Sequence, residues 1–249
     1  MIEIKTPSEL ESMRKASRVV AQVLLKLESY VKAGMTTADV DKFAEAQIRA
    51  RGAKPAFLGY RGYPATVCVS INEEIVHGIP SPKRLIKEGD IVSLDLGAVV
   101  EGFYGDAAIT VAIGKVSADA RRLMDVTRES LERAISVVKA GARLGDVSWA
   151  VQQYAEGRGM GVVKEFTGHG IGRHMHEDPS IPNYGRPGSG PLLKAGMTLA
   201  IEPMLCLGDA GVIVKDDGWT AVSADGSLAA HYEHTVAVTE DGCEVLSRA

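Results

Sequence analysis

A chain of 249 residues with 28 Lys and Arg against 32 Asp and Glu, net charge −4, has the length for a substantial core and no overall basic field to hold nucleic acid or an anionic membrane. Its three cysteines, Cys68, Cys206 and Cys243, are widely scattered, which excludes a disulfide framework or a C-x-x-C knuckle and fits a reducing compartment. The first residues interleave charges with apolar positions, unlike a signal peptide, and no later run approaches the roughly 18 to 20 apolar residues of a membrane span, so a cytoplasmic protein is expected.

Thr6-Pro7-Ser8-Glu9 has the form of a helix start, and Leu10, Met13, Val20, Val23 and Leu27 recur at helical spacing until Gly34 closes the segment. Thr36 and Asp39 form a second capping pair, predicting a helix to about Gly52. Ile91 to Asp95 and Ile109 to Ile113 read as strands. A third helix from Ser117 carries Leu123, Val126, Leu131, Ile135 and Val138 on one face, and a fourth runs from about Asp146 to Gly157.

The chain also repeats itself with a period of 107 residues. Val31-Lys32-Ala33-Gly34 recurs as Val138-Lys139-Ala140-Gly141, Asp39-Val40 as Asp146-Val147, and Arg51-Gly52 as Arg158-Gly159. At that offset the segment ending in Leu94-Asp95 falls on the one ending in Ile201-Glu202. Asp106 and Glu233, each placed ahead of an apolar strand, are 127 apart, so about twenty residues near Gly211 to Ala230 are inserted in the second half. One domain over 1–249, with repeats of about 1–115 and 116–249 facing each other across a pseudo-two-fold axis, would converge four acids on one cleft.

Four carboxylates packed together repel, and some protonate, unless cations neutralise them. Two divalent ions bridged by shared carboxylates would give acids embedded in runs such as Val92-Ser93-Leu94-Asp95-Leu96 a reason to be there. The flanking glycines of Gly168-His169-Gly170 predict a site loop that presents an imidazole, and an imidazole suits a transition metal over magnesium or calcium.

Six ordered motifs resemble the type I methionine aminopeptidases of the pita-bread metallopeptidase fold: Val76-His77-Gly78-Ile79-Pro80, Ser93-Leu94-Asp95-Leu96-Gly97, Gly105-Asp106, the block from Gly168 to Pro179, Ile201-Glu202-Pro203 and Tyr232-Glu233-His234-Thr235. The resemblance spans nearly the whole chain and implies an α+β fold with a curved, mainly antiparallel sheet flanked by helices. It implies two divalent ions per chain, cobalt, manganese, iron or zinc, with Asp106 and Glu233 bridging them, Asp95 chelating one, and His169 and Glu202 completing the other. Glu202 has two readings, a ligand alone or a ligand that also relays the proton of the attacking water. His77 and His176 would line the cleft and hydrogen-bond the scissile amide and the oxyanion, while His174 and His231 are expected to be structural or solvent-facing.

The activity implied is removal of the initiator methionine from nascent polypeptides with a small second residue, by a monomer that makes at most a transient ribosome contact and binds no nucleic acid specifically. By the same resemblance Phe57, Tyr60, Tyr63, Cys68, Met175 and Trp219 line the methionine pocket, where a thioether packs well against ring edges. X-prolyl enzymes share the five-ligand pattern but usually carry an additional amino-terminal domain, for which 249 residues leave no room.

Overall fold

In the computed structural model, which describes residues 2–248, each repeat unrolls as two helices followed by strands. The first contains α1 (Pro7–Tyr30), α2 (Thr37–Arg49), β1 (Lys54–Pro55), β2 (Val67–Ile71), β3 (Glu74–Val76), β4 (Ile91–Val100) and β5 (Phe103–Ala112). The second contains α3 (Ala118–Ser136), α4 (Leu144–Glu156), β6 (Gly161–Val162), β7 (Thr167–Gly170), β8 (Glu177–Pro182), β9 (Thr198–Ile201) and β10 (Met204–Cys206). It continues with β11 (Val212–Val214), β12 (Ala221–Ser223), β13 (Ala229–His231), β14 (Glu233–Val238) and β15 (Cys243–Val245).

Local chemistry sets the helix starts. Thr6 and Thr36 each accept a hydrogen bond from the backbone N–H three residues on, while the Glu9 and Asp39 carboxylates accept from the Thr6 and Thr36 N–H groups, closing two capping boxes. Ser117 caps α3 in the same way through Ala120 N–H. Helix α4 begins two residues before the predicted Asp146, because Asp146 caps from inside: its carboxylate accepts the Arg143 N–H at 3.0 Å and the Gly188 N–H at 2.7 Å.

The repeat is visible in the backbone. Isolated bridges join Thr36 to Leu85 and Arg143 to Leu192, and Gly34 and Gly141, with φ of 89° and 86°, donate to Ile86 O and Leu193 O. Each of these residues lies 107 positions from its counterpart in the other repeat. The main sheet runs β1-β4-β5-β14-β9-β7-β8, antiparallel at each pairing, with β2 also on β4 and β15 also on β14. The β5–β14 pairing is the seam between the halves. The inserted segment forms the β11–β12 hairpin, which adds to β3 in a separate small sheet.

Alternation assigns the two sheet faces. Val92, Leu94, Leu96, Ala107 and Val111 pack under α1 and α2, and Leu199, Ile201, Val236 and Val238 pack under α3 and α4. The residues between them, Asp95, Asp106, Ala108, Ala200, Glu233 and Thr235, therefore point to the opposite face. The helices hold one side of the sheet dry and leave the other for chemistry.

Candidate metal centre and substrate pocket

Strand register gathers the acids. Ala108 pairs with Asp95 on one side and with Glu233 on the other, which sets these three in one row across the seam. Asp106 lies two residues along β5 on the same face, and Ala200 pairs with both Thr235 and His169 to set a second row. Glu202 follows Ala200 by two, just past the end of β9. The Thr235 hydroxyl donates to Asp106 O at 2.7 Å and accepts the Asp106 N–H at 3.2 Å, tying the halves together at the acids.

Two expectations about these residues change. Asp95 and Asp106 stand inside ten-residue strands, not at a strand's end or ahead of its start, because Leu96, Ala98 and Ala107 continue the buried ladder past them. His169 lies on strand β7, not in a loop, with a register shift between His169 and Gly170. The flanking glycines serve close backbone approach: a Cβ at Gly168 would sit 2.3 Å from Ala200 O, and one at Gly170 2.0 Å from Asp178 O.

Ligand atoms of Asp106, His169 and Glu233 all lie within 4.8 Å of one another. Asp95, Asp106, His169 and Glu233 are buried, at 7%, 4%, 7% and 2% exposure. Burial holds the Asp95, Glu202 and Glu233 carboxyls well above the ordinary carboxylate range, with neighbouring carboxylates adding to it, and pushes Asp106 up to about 7. Of the seven buried side-chain polar atoms without a hydrogen-bond partner among the described residues, three are carboxylate oxygens of this cluster, Asp95 Oδ1, Asp106 Oδ1 and Glu233 Oε1. Inward-facing oxygens with no proton donor are what a divalent cation requires, so the donor set fits a metal.

The tautomer of His169 is the one a metal ligand needs. Its Nδ1 lies 2.9 Å from Gly170 O, which can only accept, so the proton sits on Nδ1 and the Nε2 lone pair is free, 3.5 Å from Glu202 Oε1. Burial, and then His176 beside it, lowers the His169 pKa to about 4, which keeps the ring neutral at physiological pH.

The raised acids give the first prediction. For a carboxyl whose folded pKa exceeds its unfolded value, the folded state binds the extra proton, so stability is greatest below about pH 4 and is lost as pH rises toward the folded value, about 7 for Asp106. Cations remove that loss by neutralising the charge. Manganese at about a hundredfold over its Kd adds about 2.7 kcal/mol, or roughly 5 to 10 °C in a domain of this size. Differential scanning calorimetry of chelator-stripped and manganese-loaded protein should show the gap in Tm widening from pH 5 to pH 7.5. A constant gap would sink the assignment of these acids as cation ligands.

All thirteen residues singled out from the sequence line a single cavity of about 140 Å³, together with Arg61 and Val76. Its apolar end is built from Phe57, Tyr63, Cys68 and Met175, all under 9% exposed, with Tyr60 and Trp219 packed against them. Tyr63 meets Phe57 and Trp219 edge to face, at centroid distances of 6.5 and 5.1 Å. The Tyr60 hydroxyl is 2.8 Å from His176 Nδ1, which places His176 at the mouth, its ring 4.3 Å from that of His169.

His77 occupies a positive-φ turn (φ 61°), edge-on to both Phe166 and Trp219. Burial and the nearby His176 lower its pKa to about 4. A buried carboxylate steadies this wall: Glu74 accepts from Ile71 N–H, Arg84 and Lys215, while Arg84 also donates to Ile79 O. Lys215 opens the turn that carries Trp219, so Glu74 joins the His77 turn to the Trp219 turn. Neither Arg61 nor this network was read from the sequence, since charged residues in glycine-rich or hairpin segments give no periodic signal.

Of the two expected readings of His231, structural or solvent-facing, the structure places it with the structural one, in the interior. It is 1% exposed and its Nε2 lies 3.9 Å from Glu202 Oε2. Its place two residues before Glu233 was the available clue, because residues i and i+2 of an extended chain share a face. His174 is exposed.

Buried acids and an imidazole with a free Nε2 lone pair on the open face of a two-fold antiparallel sheet define a metallohydrolase architecture, and the chain belongs to metallopeptidase family M24, whose profile matches residues 11–240. Membership carries the use of divalent metal. Among its relatives, the methionine aminopeptidase of Clostridium acetobutylicum is 51% identical over 99% of both chains, and methionine aminopeptidase 1 of Bacillus subtilis is 48% identical over 100% of both. The crystal structure of methionine aminopeptidase from Thermotoga maritima superposes with a TM-score of 0.99 at 51% identity, covering 100% of each chain. The X-Pro aminopeptidase of the same organism, at 24% identity and TM-score 0.77, shares the fold over 62% of its own length.

Proposed function

We infer that the chain is a methionyl aminopeptidase that removes the initiator methionine from nascent polypeptides, using two divalent cations held by Asp95, Asp106, His169, Glu202 and Glu233. The observation that carries the reading is one cavity with five metal-competent donors at one end and a ring-lined apolar slot at the other. Bound there, a divalent cation would supply Lewis acidity, polarising a peptide carbonyl and lowering the pKa of a water toward neutrality.

The chain's own residues do the rest. Phe57, Tyr63, Cys68, Met175 and Trp219 enclose an unbranched thioether side chain, and Tyr60 closes the slot at the mouth. The acids at the other end attract a free α-amine, which makes the enzyme an exopeptidase and excludes a formylated terminus. His77 and His176, both neutral at physiological pH, donate hydrogen bonds to the scissile amide and to the oxyanion that develops on its carbonyl. Glu202, beside the reacting water, takes its proton and passes it to the leaving amine.

The resemblance of its motifs to type I methionine aminopeptidases supports a preference for a small second residue. No helix among the described residues is long and apolar enough to cross a membrane. We place the protein in the cytoplasm as a monomer meeting chains as they leave the ribosome.

The deciding experiment is methionine release from Met-Ala-Ser by chelator-stripped protein, with and without added manganese or cobalt, beside an Ala-Pro-Ser control. Metal-dependent release of methionine with the control uncut is the expected result. Cleavage of the control alone would move the assignment to an X-prolyl enzyme, and no cleavage of either would leave a binding protein.

A further inference from the structure

The ring of His231 is buried at the centre with nothing to bond: neither Nδ1 nor Nε2 has a hydrogen-bond partner. A neutral imidazole carries one N–H, and a buried donor without an acceptor forfeits the hydrogen bond it had in water. The acid facing it is Glu202, with Oε2 3.9 Å from His231 Nε2 and Oε1 3.5 Å from His169 Nε2. Two imidazoles thus flank one carboxylate, each on its own oxygen.

His231 is not free to retreat. Its N–H donates to Thr110 Oγ1 at 3.0 Å, the Thr110 hydroxyl donates to His231 O at 2.8 Å, and β13 is paired to β10 with His231 opposite Met204. Glu202 lies one residue beyond β9 with its side chain 13% exposed, against 1% for His231. The present separation exceeds a hydrogen bond, and a carboxylate shift of about 1 Å would close it.

We propose that His231 is a positioning residue for Glu202: its Nε2–H engages Oε2, so that Oε1, on the His169 side, is the oxygen presented to a cation. The inference rests on the metal-centre reading above. Hydrogen bonds of this kind fix a ligand's orientation before the ion arrives, and removing them typically weakens binding by about 10- to 100-fold.

Titration calorimetry of the chelator-stripped full chain with manganese tests it. His231→Leu is expected to bind manganese about 10- to 100-fold more weakly, and His231→Gln, whose amide can place an N–H near the imidazole Nε2, to recover most of that loss. Wild-type affinity in the Leu variant, or equal weakening in Leu and Gln, overturns the proposal.

Should the Leu variant not fold, nitrogen-15 NMR of histidine-labelled wild-type protein loaded with zinc reads the tautomer directly. A His231 proton on Nε2 supports the assignment, and one on Nδ1 ends it. Neither readout involves peptide cleavage. A failure to release methionine would therefore leave this inference standing, and its own failure would leave the proposed activity untouched.

Discussion

Asp106→Asn is expected to lower methionine release by at least about 10³-fold and to reduce the manganese bound per chain. Asp106 lies within ligand reach of both His169 and Glu233, and its backbone is clamped by Thr235 across the seam. Asparagine keeps the shape but exchanges a ligating oxygen and its charge for an amide donor, so the substitution separates chemistry from packing. Losing about 4 kcal/mol of the stabilisation that metals give a developing oxyanion corresponds to about that rate factor. Without metal, the variant should unfold at a temperature no lower than stripped wild type above pH 7, because a neutral amide replaces a buried acid whose pKa is pushed up to about 7. Single-turnover release and titration calorimetry read both effects; full activity with an unchanged metal count would remove Asp106 from the centre.

His77→Ala is expected to cost about 10² to 10³ in kcat, with manganese affinity unchanged. The size follows from losing one donor aimed at charge that appears only in the transition state, about 3 to 4 kcal/mol in a water-poor site. His77 sits on an unusual backbone, a positive-φ turn steadied through Glu74 and Arg84. Because its pKa lies at about 4, the ring is already neutral above pH 5, so the kcat loss should be flat from pH 6 to 8. A kcat deficit that disappears as pH rises would mean that His77 acts as a titrating acid, and a rise in KM alone would make it a wall of the methionine slot.

Much of this architecture can be read in the chain before folding is considered. The Thr6/Glu9 and Thr36/Asp39 boxes mark two helix starts by local hydrogen bonding, and the 107-residue period carries the two-fold symmetry because each repeat must make the same turns. What could not be read is equally physical. Strand β4 is buried on both faces for eight residues, so its apolar run shows no alternation to mark its ends or place Asp95 within it. Helix α4 starts early because Asp146 reaches back to Arg143 and across to Gly188, a loop some forty residues away. His169 looked like a loop residue since its glycines advertise flexibility, whereas their use is to let β8 and β9 close on β7. That His231 faces Glu202 depends on the pairing of β13 with β10, a contact across distant segments that local sequence spacing only hints at.

The seam between β5 and β14 also makes this centre, in physical terms, an interface between two like units fused in tandem. Asp95 and Asp106 come from one unit and His169, Glu202 and Glu233 from the other, so neither holds the full donor set alone. The covalent link keeps the two sets at a high effective concentration that does not vary with how much protein is present. Cut between Ile113 and Ala118, ahead of α3, the same residues would bind metal only as well as the two pieces find each other, and cation affinity would become a function of dilution.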